Sequence, residues 1–231
     1  MGHLTRASWR RLTRLLSVCV LLTGAVGAPV LLAATAQAVA CSAGAVTAPT
    51  PCTLVGTTTV TGGSLALTAP SSLTWASTAL TGLDLKIADV NTADQSYIVN
   101  DATGSGAGWE VAVSATQFTS TVPTSATLAN AGTFSINGST SSIVSTTGPS
   151  VACSSGSACT PSVDTVVFPV AITTGPSSVF FDIYSTAAAS GMGSMVIGFP
   201  GTPVGWWVNL PASTVIGTYT STISLEVISG P

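Results

Sequence analysis

The sequence predicts an all-β, β-sandwich-like single domain of Greek-key or Ig-like type, following a secretory signal. Short runs of β-branched and aromatic residues recur between Gly, Pro, Asn and Asp, which is typical of sandwiches and barrels. Some runs alternate in polarity: Trp109, Val111 and Val113 share one strand face, and residues 223–228 alternate in the same way. Helical periodicity is hard to find in the same part of the chain.

The breaks between these runs define the candidate strands. They are Gly56–Thr61, Ser64–Thr68, Leu73–Ser77, Leu83–Ala88, Tyr97–Asn100, Trp109–Thr116, Thr133–Ile136, Thr165–Ile172, Val179–Tyr184, Gly205–Asn209 and Tyr219–Ile228. The Ala-rich stretch Ser185–Ser190 is a helix-like candidate, and Gly191 and Gly193 would end a helix there. We expect Thr140–Pro161 to be a long exposed loop.

The first 38 residues have the composition of a secretory signal peptide. Four of the five basic residues and the single His lie within the first 14 positions, and an apolar run and small residues follow. Cleavage after Ala38 and cleavage after Ala40 both fit this pattern. We expect residues 39–80 to form an N-terminal arm with the first strands, continuous with a β domain at 81–231.

The charge balance excludes several function classes. Beyond the signal, one lysine (Lys86) remains against eight Asp and Glu residues, so the net charge is −7. Nucleic acids and anionic lipids bind clustered Lys and Arg, which this part of the chain lacks. Without His, neither a Ser/His/Asp centre nor a His-ligated zinc site can form. No apolar stretch beyond the signal is long enough to be a transmembrane segment.

Four cysteines lie beyond the signal, an even number that favours disulfides in an exported protein. The spacing favours two local bridges, Cys41–Cys52 and Cys153–Cys159, which would staple the N-terminal arm and a surface loop. The other pairings stay open. In an alternative interpretation, Cys41 is a lipid-carrying N-terminus and Cys52 is a free thiol.

The most distinctive segment runs from Asp101 to Trp109 and reads Asp-Ala-Thr-Gly-Ser-Gly-Ala-Gly-Trp. Its glycines are Gly104, Gly106 and Gly108. Glycine allows positive φ or close backbone approach, and Asp101 and Thr103 can hydrogen-bond the backbone of the turn. We therefore expect a tight, hairpin-like connection that leads into a strand opening with Trp109.

This segment resembles the first motif of the WxL-domain cell-surface proteins of Gram-positive bacteria. In that family an Asp-x-Thr/Arg-Gly-x-Gly-x-Gly-Trp stretch leads into Trp-x-Leu, and here Trp109-Glu110-Val111 has Val in place of Leu. The family's second motif follows Gly-Thr-Tyr in a C-terminal strand. Here Gly217-Thr218-Tyr219 precedes Leu225, which stands where the second Trp would be, and Val227. The resemblance covers roughly 80–231, as a divergent member with a degraded second motif.

The resemblance implies a secreted, non-enzymatic, sandwich-like domain. Such a domain associates non-covalently with the peptidoglycan wall and sometimes with partner surface proteins. It also implies an extracellular location at the cell-wall surface.

Three tryptophans are candidate binding residues. Trp109 opens an alternating strand, so it is either a core residue or an aromatic platform for a sugar face. Trp206 and Trp207 are neighbours on one strand and point to opposite faces, so we expect one of them at a surface, an edge or an interface. Trp75 is expected in the core.

Four acidic residues, Asp84, Asp89, Asp94 and Asp101, fall within 18 positions. Calcium binding is one interpretation, because calcium takes several oxygen ligands from a compact loop. The other interpretation is a polar loop, because the segment does not match the EF-hand pattern. We predict no resident metal and no cofactor.

The leading prediction is thus a secreted, non-enzymatic domain that binds non-covalently to peptidoglycan. Because both partners are anionic, attachment would rest on aromatic stacking, hydrogen bonds or bridging cations. One alternative is a structural subunit or partner-binding module of a surface assembly, pairing through β-edges with another surface protein or with itself. A carbohydrate-active enzyme with two acids across a cleft is a further alternative.

Overall fold

The computed structural model describes residues 39–40, 52–53, 56–122, 125–161, 165–175 and 179–230. The predicted signal peptide and Cys41 lie outside these residues. The chain divides into two compact units, Met1–Thr58 and Thr59–Pro231. In the first unit, β1 (Val39–Ala40) and β2 (Cys52–Thr53) form a parallel pair.

The second unit is built from short strands, as the sequence predicts. They are β3 (Leu65–Thr68), β4 (Leu85–Ala88), β5 (Ser96–Asp101), β6 (Trp109–Ala115), β7 (Thr119–Ser120), β8 (Ala126–Thr127), β9 (Phe134–Asn137), β10 (Val151–Cys153), β11 (Val170–Ile172), β12 (Phe181–Ser185), β13 (Gly193–Gly198), β14 (Gly205–Leu210), β15 (Tyr219–Thr220) and β16 (Ile223–Ser229). One 3-10 turn occurs at Thr92–Asp94, and the described residues contain no α-helix.

The described strands of this unit form four antiparallel sheets, with the orders β10-β13-β5-β3, β11-β9-β14-β4, β12-β6-β16 and β15-β7-β8. Every connection between successive strands except β7–β8 passes from one sheet to another. One hydrophobic cluster contains buried residues from the first three sheets. The fold is therefore all-β and sandwich-like, which confirms the predicted fold class.

The Gly-rich segment between Asp101 and Trp109 is not the predicted hairpin-like connection. The strand before it, β5, pairs with β13 and β3, whereas the strand after it, β6, pairs with β12 and β16. The turn thus carries the chain from one sheet to another. A tight turn with left-handed glycines suits either kind of connection, so the local sequence alone does not distinguish them.

The predicted alternation appears in both strands that carry the motifs. Trp109, Val111 and Val113 are fully buried in β6, the central strand of its sheet. In β16, alternate residues of 223–227 pack against the same core, whereas Ile228 on the other face is exposed. Alternate residues of both strands therefore face the core as predicted, although Ala112 and Ser114 on the other face of β6 are also buried.

Some stretches depart from the prediction. Gly56–Thr61 and Leu73–Ser77 are irregular rather than extended strands. Ser185–Ser190 is not helix-like, because its first residue ends β12 and Ala189 adopts a positive φ of 64°. The predicted loop Thr140–Pro161 contains β10, which pairs with β13.

Candidate functional site

The Gly-rich turn is held by its own polar side chains, as predicted. The Asp101 carboxylate accepts hydrogen bonds from the Thr103 N–H (3.0 Å) and the Thr103 hydroxyl (2.7 Å). Positive φ occurs at Gly104 (67°), Gly106 (64°) and Gly108 (79°). At Gly108 a Cβ would also lie 2.6 Å from the carbonyl oxygen of Thr186. The turn is therefore part of the internal framework of the domain.

Trp109, which follows Gly108, is enclosed by residues 184–191. Its backbone N–H donates to the Thr186 hydroxyl (2.8 Å), and its indole N–H donates to the Gly191 carbonyl (2.8 Å). The indole stacks on Tyr184 with ring centroids 5.6 Å apart. Trp109 is 0% exposed, so the alternative of an aromatic platform for sugars is wrong for this residue.

The disulfide Cys153–Cys159 is confirmed. Its loop is hydrogen-bonded to residues 191–194, the segment whose Gly191 contacts Trp109. Within this loop, the Ser157 hydroxyl accepts a hydrogen bond from the Ser194 N–H (3.0 Å). Just after the loop, the carbonyl of residue 160 accepts one from the N–H of residue 191 (2.8 Å). Cys41 is outside the described residues, so the Cys41–Cys52 bridge stays a prediction.

The expectation that Trp206 or Trp207 lies at a surface is also wrong. The side chains do point to opposite faces, yet Trp206 is 1% and Trp207 is 5% exposed. Trp206 stacks on Phe134 in the core. Trp207 is covered from outside, and its indole N–H donates to the Ser139 carbonyl (2.7 Å) and to the Asn137 side chain (3.2 Å). The end of β9 and the residues just after it thus hold the Trp207 indole on the outer face of the sheet.

A cavity of about 780 Å³ lies beside the long connection from β3 to β4. One wall is residues 70–78 of this connection, and the facing wall is residues 217–223. We call this cavity the β3–β4 groove. Its volume is in the range of small-molecule sites, about 300–1,000 Å³. Long connections without secondary structure are uncommon in compact domains and are often functional.

The lining of the β3–β4 groove has an apolar floor and a hydroxyl-rich rim. Floor residues include Leu73, Phe118, Leu128, Trp206, Leu210 and Ile223. Exposed hydroxyl residues on the rim include Ser71, Ser72, Ser77, Thr78, Thr218 and Thr220. The lining contains no Asp, Glu, Lys, Arg or His. A ligand of this groove would meet apolar surface and neutral hydrogen-bonding groups.

Trp75 is the tryptophan that is only partly buried and lines the groove. Its indole N–H donates to the Trp206 carbonyl (3.0 Å). Its ring meets Phe118 and Phe134 edge-on, with centroids 5.9 and 6.1 Å away. The indole is therefore held in place before any ligand arrives.

Asp89 fastens the same connection beside the groove. Its fully buried carboxylate accepts hydrogen bonds from the backbone N–H groups of Thr74 (3.0 Å) and Asn91 (2.9 Å). Asp94 lies next to it and accepts one from the Asn91 amide (2.8 Å). Burial raises the pKa of Asp94; the Asn91 hydrogen bond opposes this rise, and the neighbouring Asp89 carboxylate adds to it.

Of the four acids considered for calcium, only Asp89 and Asp94 come together. Asp84 accepts a hydrogen bond from the Ala212 N–H (2.9 Å), and Asp101 holds its own turn. Within the described ranges, no three Asp, Glu, His or Cys side chains converge as a metal site.

A smaller hollow of about 370 Å³ contains two carboxylates, Glu110 and Asp182. They lie on the paired strands β6 and β12, with residues 165–167 alongside. An enzyme that uses two carboxylates could use these acids, whereas the described lining of the β3–β4 groove contains none.

The sequence prediction missed the groove because no motif marks it. The sequence feature that could have indicated the groove is the run from Ala69 to Leu83. It contains one tryptophan and several Ser and Thr, and it has no charged residue. Part of this run is the predicted strand Leu73–Ser77, with Trp75 expected in the core.

No protein-family model, curated protein or solved structure matches this chain. The WxL resemblance therefore stays a prediction that rests on the quoted motifs. In the described part of the chain, no helix has the length and apolar character needed to cross a membrane.

Proposed function

We propose that this chain is a secreted, non-enzymatic cell-surface domain that binds non-covalently to peptidoglycan of the Gram-positive wall. The β3–β4 groove is the observation that carries this proposal. It is a preformed concave site, and its lining has neutral hydrogen-bonding groups but no Asp, Glu, Lys, Arg or His. Such a lining supports binding rather than turnover.

The charge of the chain defines how such binding would behave. With one lysine beyond the predicted signal, attachment to an anionic wall cannot rest on ion pairs. Binding through Trp75 and the hydroxyl rim should therefore survive high salt, because salt screens exposed charges and not apolar contacts.

The test is co-sedimentation of residues 39–231 with purified peptidoglycan sacculi, with calcium and with a chelator. We expect pelleting that persists in about 1 M NaCl and that is lost in Trp75→Ala. Phe180→Ala is the matched control, because Phe180 is 40% exposed and lies outside the groove. The absence of pelleting in every condition would refute wall binding.

A second candidate function is assembly with a partner surface protein or with a second copy. In the described residues, β16 pairs with β6 alone, so its other edge forms no ladder with another strand, although β3 contacts β16. This edge strand carries a single charged residue, Glu226, and edges without charged or proline residues are prone to pairing. Concentration-dependent oligomers in analytical ultracentrifugation would favour this candidate over wall binding.

The enzymatic alternative is tested by the release of reducing sugar from walls. If turnover occurs and Glu110→Gln or Asp182→Asn abolishes it, the non-enzymatic proposal is wrong. If walls are bound without release of sugar, the binding proposal is supported.

A further inference from the structure

We infer that the β3–β4 groove binds uncharged pyranose units, that is, the glycan part of a wall polymer rather than its peptide part. This inference rests on the proposed function, because it names the ligand class of the same site. The residues that carry it are Trp75, the hydroxyl rim and the uncharged floor of the groove.

The lack of charged side chains in the groove favours a neutral ligand. The lining contains no Asp, Glu, Lys, Arg or His, and the Tyr219 hydroxyl donates a hydrogen bond to the Val215 carbonyl oxygen (2.8 Å). A carboxylate or an ammonium group brought into the groove would lose water and gain no ion pair, which is unfavourable. Wall peptides carry both kinds of group, whereas N-acetylglucosamine units carry none. The groove therefore selects the neutral part of the polymer.

The second argument is the arrangement of apolar and polar groups. A pyranose ring presents an apolar C–H face and an edge of hydroxyl groups. The groove presents aromatic and aliphatic side chains at its floor, where Trp75 and Tyr219 lie, and Ser and Thr hydroxyls at its rim. Each Ser or Thr hydroxyl can both donate and accept a hydrogen bond, which matches the sugar hydroxyls.

The third argument is preorganisation. Trp75 is fixed by its hydrogen bond to the Trp206 carbonyl and by two edge-on ring contacts. The adjacent Thr74 N–H is bound to the buried Asp89 carboxylate. Because these groups are already ordered, a ligand loses less free energy in ordering them.

The competing occupant is an apolar peptide strand, which would pair with backbone groups along the groove. A hydroxyl-rich rim favours the sugar, because a peptide strand would use backbone groups and leave side-chain hydroxyls unmatched. The two occupants are separated by the probes. These are the uncharged β-1,4 tetramer of N-acetylglucosamine, and an N-acetylated, C-amidated Thr-Val-Thr-Val-Thr-Val peptide.

The experiment is titration of residues 39–231 with each probe, followed by calorimetry and by amide chemical shifts. We expect saturable binding of the tetrasaccharide, with shifts in 70–78 and 217–223 and no loss of affinity in high salt. Trp75→Ala should weaken binding by about tenfold or more, and Trp75→Phe should weaken it less. Phe180→Ala should leave it unchanged.

Trp75→Ala also removes ring contacts, so a second variant leaves those contacts intact. Ala76 is exposed and lines the groove, and Ala76→Arg would fill it without removing a buried group. This variant should keep the unfolding midpoint and lose tetrasaccharide binding. Tetrasaccharide binding that is unaffected by Ala76→Arg and Trp75→Ala would overturn the inference, as would binding of the hexapeptide alone.

The failure of this inference is distinguishable from the failure of the proposed function. Sacculi that pellet the protein without any tetrasaccharide binding would keep wall binding and overturn the ligand class. Tetrasaccharide binding without pelleting would keep the site and overturn wall attachment.

Discussion

Replacing Gly108 by Ala should lower the free energy of unfolding of the domain more than the same change at Gly104, although both glycines have positive φ. Gly104 has φ 67° and open space where a Cβ would be. Gly108 has φ 79°, and its Cβ would lie 2.6 Å from the Thr186 carbonyl oxygen and 2.9 Å from that of Ala187. The pair therefore separates backbone strain from close approach.

The magnitudes follow from these two geometries. Left-handed backbone costs a non-glycine residue about 1–2 kcal/mol, and the stiffer unfolded chain of Ala offsets about 0.4–1 kcal/mol of it. We expect Gly104→Ala to lower the free energy of unfolding by about 1 kcal/mol. Gly108→Ala must also displace Thr186, whose hydroxyl accepts from the Trp109 N–H, and overpacking of this kind costs about 1–3 kcal/mol more.

The assay is urea unfolding followed by tryptophan fluorescence, with free energies from linear extrapolation. Gly108→Ala should be less stable than Gly104→Ala by about 2 kcal/mol, and a Gly108→Ala protein that does not fold would agree in direction. If the two variants had the same stability within about 0.5 kcal/mol, the close approach at Gly108 would not matter. The internal role of this turn would then be refuted.

Other perturbations test the remaining contacts. Because burial raises the pKa of Asp94, its ionisation destabilises the fold as pH rises through and above the ordinary carboxyl range; Asp94→Asn should gain stability over the parent as pH rises from 3 to 7, and no trend with pH would contradict the raised pKa. Replacing Cys153 and Cys159 by Ala should lower the free energy of unfolding by about 2 kcal/mol, because the closed loop is short; an unchanged urea midpoint would contradict this. Trp109→Phe removes a buried indole donor and should cost about 2–3 kcal/mol, measured in the same assay, and a cost under about 0.5 kcal/mol would show that this hydrogen bond is unimportant.

The sequence carried enough information for the fold class and for individual strand faces. Alternation in β6 and β16 predicted which side chains face the hydrophobic core, because successive strand residues point to opposite faces. It did not predict that Ala112 and Ser114, on the other face of β6, are buried too. The Cys153–Cys159 bridge was equally local, because its cysteines are only six positions apart in the sequence. The hydrogen bonds from Thr103 to the Asp101 carboxylate were likewise predictable from a turn of known side-chain chemistry.

Strand pairing and burial of neighbouring residues were not predictable in this way. The rule that adjacent strand residues point to opposite faces holds for Trp206 and Trp207, yet both are buried. The local pattern does not show that Asn137 at the end of β9 and Ser139 just after it accept hydrogen bonds from the Trp207 indole. Similarly, the partners of β5 and β6 lie far along the chain, so the turn at Asp101–Trp109 could not reveal that its strands belong to different sheets.

The burial of the WxL-like motif places the candidate binding surface away from that motif. The motif that suggests a wall-associated protein has its polar and aromatic groups committed to internal contacts: Asp101 to its own turn, and Trp109 to Thr186, Gly191 and Tyr184. A ligand could reach these groups only by breaking buried hydrogen bonds, each of which costs about 1–3 kcal/mol when left unmade. The β3–β4 groove requires no such loss, because its rim hydroxyl residues are exposed and Trp75 is only partly buried. If this chain does bind the wall, the motif would contribute by fixing β6 and the core, and recognition would depend on a segment without any motif.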